Sequence, residues 1–445
     1  MAFCTFPGVV VILSATKHPG AALEILSSSP GSQERGGGFR HARGTPMAEG
    51  LVYVMILIFW VSAAIIIYVY FGYPLILKII SRFVHYVVPP EPAEWPHVSL
   101  IIAAYNEEGV IEPKLENSLR LDYPRGKLEI IVASDGSTDQ TDEIVGRYAG
   151  EGVRLVRVEG RQGKTAAQNR AVEEASGEIV VFSDANAMYE PDAIKRLVRH
   201  FGRDDVGCVE GRRVDYSPER TATAEHELTF RNYESRIKTL ESRVLSCTGA
   251  TGPIYAVRRP LYVPLSPDMI SDFMEPLMVM YKHRKRQVYE PEAVSREPVL
   301  GEMRREFRRK VRIITRCLHS ITRVPQIMSP LKTGWFSVQV VSHRFLRWLL
   351  PVLLLVVLFA NIILARGPFY RAALAAQFAF YAAALLGWIF EGARIGSTLL
   401  RVPYYFCAAN AASLVAVINW LRGKSVVTWR TERDELRGTT DGETR

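Results

Sequence analysis

The amino-acid sequence predicts an α/β domain with a mostly parallel sheet, joined to transmembrane α-helices. Three observations support this prediction. Residues 51–80 are apolar with a single charge at Lys78, a run longer than the roughly 20 residues that span a bilayer. Between residues 98 and 186, apolar strands alternate with amphipathic helices. Three further apolar runs follow Arg344, at residues 345–365, 372–390 and 403–421.

The distribution of these runs divides the chain into six parts. Residues 1–46 are rich in Gly, Ser and Arg without periodicity, which is typical of a disordered leader or an extension from an upstream start site. The remaining parts are an anchor (47–82), a globular domain (95–300), basic interfacial helices (301–344), transmembrane helices (345–421) and a basic tail (422–445).

The charge pattern favours a membrane partner over nucleic acid. The chain carries a net charge of +9, and its most basic stretch is GEMRREFRRKVRIITR, residues 301–316. This stretch has no aromatic residue apart from Phe307 and precedes an apolar run, so an anionic lipid surface or an anionic substrate fits it better than nucleic acid. Five scattered cysteines without CxxC spacing indicate a reducing compartment and no disulfide framework.

Strands and helices alternate along the globular domain. HVSLIIAAYNEE reads as a strand ending in a polar turn and is followed by a helix at residues 110–120. Next come the strand KLEIIVASDGS, a helix after Thr138 and Asp139, the strand VRLVRV, the helix KTAAQNRAVEEA and the strand EIVVFSDAN. Strands that are apolar throughout predict a parallel sheet covered on both faces.

Three of these strands end in polar turns. Because ligands bind at the carboxyl ends of parallel strands, we expect these turns to meet at one edge of the sheet. The turns are Tyr105-Asn106-Glu107, Asp135-Gly136-Ser137 and Asp184-Ala185-Asn186.

Six segments in order resemble a family 2 glycosyltransferase. They are AAYNEE, ASDGSTDQT, GKTAAQNRA, FSDANAMYEPDA, TGATGPIYAVRR and ISDF, and the resemblance covers residues 98–316. It implies a GT-A fold, a Rossmann-like nucleotide-sugar domain, and with the apolar runs it is similar to membrane-embedded polysaccharide synthases. The implied activity is inverting transfer of a sugar, from a UDP-sugar or another nucleotide sugar, to a glycan or lipid-linked acceptor. Such transfer contributes to exopolysaccharide or cell-surface glycan synthesis, and the implied partners include subunits of a polysaccharide synthesis or export complex.

The resemblance assigns donor contacts to Tyr105, Glu107, Asp135, Lys164, Asp184 and Arg312. Carboxylates such as Glu107 and Asp135 can accept hydrogen bonds from a uracil ring or a ribose, although the second turn also reads as a simple turn and helix cap. Lys164 begins a helix, where its charge and free amides can bind phosphate, and a solvated lysine is the alternative.

The resemblance places a divalent cation, Mg²⁺ or Mn²⁺, on Asp184 and Asn186. Hard cations prefer oxygen ligands, and one carboxylate suffices when a diphosphate supplies others. The second carboxylate that is common in the family is replaced here by Asn186. A buried strand that ends in a solvated turn would give the same pattern.

The acceptor side is expected at Thr248, Gly249 and Ala250, where small residues permit close approach of a sugar to the backbone. A tight connecting loop is the alternative. Asp272 matches the family's catalytic base, which takes the proton of the acceptor hydroxyl, although its neighbour is Ser271 rather than a second acid. Asp272 could instead cap the helix that follows.

A degenerate signature, Arg309-x-x-Arg312-Ile313, stands where processive relatives carry Gln-x-x-Arg-Trp. The missing tryptophan leaves open a non-processive transferase that acts on a polyprenyl phosphate or another lipid-linked intermediate. Arg304, Arg305 and Arg308 read as an interfacial basic face, and His343 and Arg347-Trp348 as anchors at the membrane surface. From another class, an inactive scaffold subunit of an export complex is the competing hypothesis.

Nucleotide sugars are made in the cytosol, so we expect the domain on the cytosolic side of a bacterial inner membrane. The basic segments flanking the domain agree with this orientation. Four spans would put the C-terminus outside, whereas its basic tail favours the inside, and the sequence leaves this open.

Overall fold

The computed structural model describes residues 46–216, 222–298, 303–390 and 398–424. The predictions for the leader and for most of the basic tail therefore lie outside the described residues. The chain divides into two compact units. One comprises Met1–Phe59 and Phe359–Tyr404, and the other comprises Trp60–Leu358 and Tyr405–Arg445.

The larger unit contains an eight-stranded sheet, which confirms the predicted fold class. Its strands are β1 (Val98–Ala104), β2 (Leu128–Ser134), β3 (Val153–Arg157), β4 (Ile179–Asp184), β5 (Met188–Tyr189), β6 (Val206–Tyr216), β7 (Tyr255–Arg258) and β8 (Arg286–Pro298). They are ordered β3-β2-β1-β4-β7-β6-β8-β5. The pairs β1–β2, β1–β4, β2–β3 and β6–β8 are parallel, whereas β7 is antiparallel to β4 and β6, and β5 to β8.

Fourteen α-helices occur in the described part of the chain. They are α1 (Pro46–Ile67), α2 (Tyr73–Ile80), α3 (Ile111–Leu119), α4 (Thr141–Arg147), α5 (Lys164–Glu174), α6 (Ala193–Val198), α7 (Ala222–Val244), α8 (Ser271–His283), α9 (Met303–Arg323), α10 (Pro330–Thr333), α11 (Trp335–Val340), α12 (Leu346–Leu364), α13 (Pro368–Ile389) and α14 (Thr398–Leu421). Two π-helical turns, Tyr68–Gly72 and Val341–Phe345, join α1 to α2 and α11 to α12.

The central strands are buried on both faces, as their continuous apolar sequences predict. In β1, Leu100 and Ile102 face one core cluster, which includes Leu115 of α3 and Leu197 of α6. Ile101 faces the opposite cluster with residues of α5. The alternation follows from the period of two along a strand. Helices therefore cover both faces, and the carboxyl ends of β1, β2 and β4 remain together at one edge.

Four helical segments are long and apolar enough to cross a membrane: Gly50–Ile80, Trp335–Leu364, Pro368–Ile389 and Leu399–Leu421. These agree with the four predicted apolar runs. The second segment begins about ten residues earlier than the sequence predicted, because α11 and the following π turn continue into α12.

Candidate active site

The first two polar turns are in contact. The Thr138 backbone N–H donates to Asn106 Oδ1 at 2.9 Å, and the Asn106 N–H donates to Ser137 Oγ at 3.2 Å. Asn106 has a left-handed backbone (φ 54°), a conformation that asparagine tolerates better than most residues. Because β1 and β2 are parallel and in register, the turns that follow them lie side by side.

Asp135, predicted to contact the nucleotide, is nearly buried and holds the loop before α5. Its carboxylate accepts hydrogen bonds of 2.8 Å from the N–H groups of Gln162 and Gly163. Gly136 has φ +70°, and a Cβ there would lie 2.5 Å from the Gly160 carbonyl oxygen, so the two loops require glycine at this approach. Burial raises the pKa of Asp135 above its usual range.

The first turn contributes the flat aromatic ring of Tyr105 to this edge of the sheet. The Arg161 guanidinium lies 3.9 Å from the centre of the Tyr105 ring, a cation–π contact that sequence reasoning missed. The Glu107 N–H donates to Thr141 Oγ1 at 2.8 Å. Asp139 accepts a 3.0 Å hydrogen bond from the Thr141 N–H, which agrees with the interpretation as a turn and cap. The predicted roles of Tyr105 and Glu107 in nucleotide binding stay predictions.

Three charged groups converge beside Gly252. Lys164, the first residue of α5, forms an ion pair with Asp184 at the end of β4. A Cβ added to Gly252 would lie 2.9 Å from Lys164 Nζ, 2.9 Å from Asp272 Oδ2 and 3.2 Å from Asp184 Oδ2. The glycine therefore leaves the space that the three side chains share. The sequence predicted site roles for the three charged residues, and Gly252 entered only as the end of the small-residue stretch 247–252 on the acceptor side.

Asp272 lies in the first turn of α8, where its Oδ1 accepts a 2.9 Å hydrogen bond from the Phe273 N–H. Asp272 is not the cap of α8, since the N-cap position is Ile270, and its Oδ2 is directed to the shared space. Burial raises the pKa of Asp272 against the attraction of Lys164, and the nearby Asp184 raises it further. A carboxylate with a raised pKa is a stronger base at neutral pH.

Arg316 is a buried guanidinium that sequence reasoning did not assign. It is 8 % exposed, its positive charge acts on Asp272, and its Nη2 donates to the Met269 carbonyl at 3.2 Å. Its Nε–H has no hydrogen-bond partner among the described residues. Arg316 lies one helical turn beyond Arg312 in α9, and the predicted donor contact of Arg312 stays a prediction.

Hydrogen bonds to neighbouring elements hold the predicted acceptor loop, residues 247–252, in place. The Ala250 N–H donates to the Asp272 carbonyl at 3.0 Å, and the Thr251 N–H and hydroxyl donate to Glu210 Oε1 at 2.8 and 2.9 Å. Gly249 has φ +105° and approaches Phe273. Thr248 is fully buried, and its hydroxyl lies 3.1 Å from His343 Nδ1, so its side chain supports the loop. The predicted acceptor contacts of Thr248, Gly249 and Ala250 stay predictions.

His343 and Arg347 belong to a buried polar network, which corrects their interpretation as membrane-surface anchors. His343 is 2 % exposed and lies between two carboxylates of α7, 2.9 Å from Glu241 and 3.3 Å from Glu234. Arg347 also pairs with Glu234, and Tyr73 donates to Glu241 at 2.5 Å. The sequence could not show this, because α7 lies about 100 positions away from the second apolar segment.

The oxygen donors at the third turn fit a hard divalent cation when a diphosphate completes the ligand set. Asp184 and Asn186 are partly exposed, and the Asn186 amide has no hydrogen-bond partner among the described residues. The Lys164 ammonium pairs with the Asp184 carboxylate, and so lies where a divalent metal cation would bind. In the part of the chain that the structure describes, no group of three or more His, Cys, Asp or Glu side chains could hold a metal by itself.

The chain is similar to known glycosyltransferases. The family described as "Glycosyl transferase family 2" matches residues 99–262. The chain is 35 % identical over 123 residues to beta-monoglucosyldiacylglycerol synthase of Nostoc sp., covering 27 % of this chain and 26 % of that protein. It is 33 % identical over 116 residues to poly-beta-1,6-N-acetyl-D-glucosamine synthase of Staphylococcus epidermidis, covering 26 % of this chain and 28 % of that protein. The matches thus span about a quarter of the length of these curated relatives.

One solved structure is similar over nearly its whole length. The mannosyltransferase PcManGT of Pyrobaculum calidifontis, in complex with GDP-Man and Mn²⁺, superposes with a TM-score of 0.62 at 25 % identity, covering 82 % of this chain and 99 % of that one. Residues 99–262 are therefore similar to family 2 glycosyltransferases, and the sheet that contains them has the GT-A fold.

Proposed function

We propose that this protein is a membrane-bound inverting glycosyltransferase that passes a sugar from a nucleotide sugar to a glycan or lipid-linked acceptor. The convergence of Asp272, Lys164 and Asp184 beside Gly252, within a family 2 domain, carries the proposal. It combines a base with groups that bind a diphosphate, which are the two requirements of the transfer.

The donor diphosphate lies at the third turn in this proposal. Lys164 and the Arg316 guanidinium bind its oxygens as charged donors. Asp184 and Asn186 hold the divalent cation, Mg²⁺ or Mn²⁺, and the similar mannosyltransferase was solved with Mn²⁺. When bound, the cation neutralises the charge that develops on the departing diphosphate. The base and ribose lie against the first two turns, near Tyr105 and Glu107.

Asp272 is the base. It accepts the proton of the acceptor hydroxyl while that oxygen forms its bond to the anomeric carbon, and the bond from this carbon to the diphosphate oxygen breaks. The nucleoside diphosphate leaves, and the configuration at the anomeric carbon is inverted. Asp272 is suited to this step because burial and Asp184 raise its pKa, and because Oδ2 faces the shared space.

The identities of the donor and the acceptor are proposed from the sequence resemblance, the similar proteins and the apolar helices. The sequence resemblance favours a UDP-sugar, and the similar mannosyltransferase binds GDP-Man, which is therefore the alternative donor. The curated relatives include a glycolipid synthase and a polysaccharide synthase. Four apolar helical segments favour an acceptor that is itself in the membrane, with the domain on the cytosolic side where nucleotide sugars are made.

Radiolabelled donors test the function directly. Membranes that contain the protein are supplied with UDP-glucose, UDP-N-acetylglucosamine, UDP-galactose or GDP-mannose and with Mn²⁺, and the products are extracted into organic solvent and sized by chromatography. We expect label in the lipid fraction with one donor, and none with the Asp272→Asn variant. Polymeric product would assign a polysaccharide acceptor. No product, together with no binding of UDP or GDP in calorimetry with Mn²⁺, would refute transfer and support the scaffold hypothesis.

A further inference from the structure

Lys164 occupies the position of a counter-ion at Asp184. Its ammonium pairs with Asp184 Oδ1, and the side chains are 15 % and 32 % exposed. Burial alone lowers the pKa of Lys164, but the carboxylates of Asp184 and Asp272 outweigh burial and raise it above its ordinary value. Lys164 is therefore a cation held among carboxylates at the mouth of the site.

Three carboxylates act on this ammonium. Asp184 and Asp272 flank the space beside Gly252, and the charge of Glu297 at the end of β8 also acts on Lys164. Glu297 is buried, and its Oε2 pairs with Arg213 at 3.0 Å. Lys164, whose ammonium pairs directly with Asp184, offsets the repulsion among these carboxylates together with the buried cations Lys114 and Arg316.

The same carboxylate is the charged ligand in the proposed cation site. A divalent cation bound to Asp184 and the ammonium of Lys164 cannot both lie against it, since the two positive charges repel at such short distances. Lysine has a flexible four-carbon stem, so its ammonium can leave Asp184 without movement of α5. The diphosphate of a nucleotide sugar offers it new anionic partners close by.

We propose that Lys164 is an exchangeable counter-ion: it neutralises Asp184 before the donor binds and passes to the diphosphate when the divalent cation takes its place. This inference rests on the proposed function, because the diphosphate is the second partner of the lysine. Its consequence is positive coupling between cation and nucleotide. The free cation binds weakly because it displaces an ammonium that has no other anionic partner, whereas in the presence of the nucleotide both positive charges are paired.

Binding of Mn²⁺ without nucleotide tests the exchange. Full-length protein in detergent is titrated with Mn²⁺ alone and followed by electron paramagnetic resonance. We expect Lys164→Met to bind Mn²⁺ about tenfold more tightly than wild type, within the usual range of coupling between two sites. Lys164→Arg keeps the positive charge and should stay near wild type. Lys195→Met removes a lysine from a surface pair with Asp122, 2.7 Å long, and controls for the change in net charge.

A second titration separates this inference from the proposed function. With Mn²⁺ saturating, UDP and GDP are titrated into each variant, and Lys164→Met should bind the nucleotide about tenfold more weakly than wild type. A folded Lys164→Met protein that binds free Mn²⁺ no more tightly than wild type would overturn the exchange. If Lys164→Met tightens Mn²⁺ binding but wild type binds neither nucleotide, the lysine competes with the cation as inferred while the proposed function fails.

Discussion

The indole ring of Trp348 packs edge-on against the phenyl ring of Phe273, with ring centroids 5.5 Å apart. Phe273 follows Asp272 in α8, whereas Trp348 lies in the second apolar segment and is 9 % exposed. The sequence suggested a membrane-surface anchor at position 348. The structure instead shows an aromatic contact that supports the helix of the proposed base.

Trp348→Ala should therefore affect both stability and turnover. Removing a buried indole costs about 3 to 5 kcal/mol in typical cores, and the loss would loosen α8 beside Asp272. We expect a lower melting temperature in detergent and at least a tenfold lower kcat. Trp388→Ala, in which the lost side chain is 59 % exposed, is the matched control. Unchanged melting and turnover in Trp348→Ala would show that this contact is dispensable.

Gly252→Ala should abolish most of the activity. The new methyl group would lie about 3 Å from Lys164 Nζ, Asp272 Oδ2 and Asp184 Oδ2, where it fills the space that the substrate needs. We expect at least a hundredfold loss of kcat/KM in the donor assay, since small displacements of reacting groups are costly. Gly146→Ala has no heavy atom within 4 Å of the added carbon and should retain activity. A Gly252→Ala enzyme within twofold of wild type would refute this placement of the reaction.

Arg316 should matter more than Arg312 for binding of the donor. Arg316 is buried near Asp272 with an unpaired Nε–H among the described residues, so a diphosphate oxygen would be a natural partner. Arg316→Met should raise the donor KM by about tenfold or more, and Arg312→Met by less. Comparison of both variants by donor titration checks the order. The reverse order would favour Arg312 over Arg316 as the main contact of the donor.

Asp184 and Asn186 should respond differently to substitution. Asp184→Ala removes the charged oxygen donor at the end of β4 and should abolish transfer, whereas Asn186→Asp keeps an oxygen at the same place and should be tolerated. Transfer rates and Mn²⁺ titrations of both variants test this division. An inactive Asn186→Asp protein that folds and binds Mn²⁺ would contradict it.

Glu275 predicts a pH dependence of stability. Its side chain is fully buried in α8, and burial raises its pKa to about 8. An unfolded glutamate titrates near pH 4.3, so between that pH and about 8 the folded protein holds a proton that the unfolded chain releases. Stability should therefore fall as the pH rises through this interval. Glu275→Gln cannot ionise and should melt about 5 °C higher than wild type at pH 8.5.

At pH 5 the two proteins should melt alike, because wild-type Glu275 is then protonated in the folded state. The substitution Glu151→Gln, at an exposed position, controls for the loss of a carboxylate. If wild type and Glu275→Gln show parallel melting curves from pH 5 to 8.5, the carboxyl is already ionised in the fold.

Strands β1 to β4 could be predicted from the sequence, whereas β6 and β8 could not. β1, β2 and β4 are continuous apolar runs that end in polar turns. The sequence therefore predicts both that they are strands and that their carboxyl ends meet at one edge of the sheet. β6 and β8 carry Glu210, Glu290 and Glu297, which resemble exposed residues in a sequence but are buried. Each is neutralised by a partner distant in the chain, such as Lys238, which lies 2.6 Å from Glu210. Local patterns do not reveal pairs of that kind.

The residues of the candidate site divide in the same way into those that the sequence predicts and those that only the structure shows. Asp184, Lys164 and Asp272 were identified because each belongs to a short motif with a resemblance behind it. Their ion pair and their common contact with Gly252 depend on how β4, α5, α8 and the loop at 247–252 meet. Arg316 and His343 make their contacts in buried positions. The sequence of a basic or an apolar helix does not show which of its polar side chains are buried.

The loop at 247–252 is held by Glu210 and by the Asp272 carbonyl, and its Thr248 hydroxyl faces away from the site. Its wall is therefore largely main chain. Apart from Gly252, where an added methyl group would fill the shared space, exchanging side chains of this loop changes its support and not its shape. Engineering or natural divergence of acceptor preference would have to act through the elements around the loop, and libraries directed at neighbouring helices should yield altered specificity sooner than libraries directed at the loop itself.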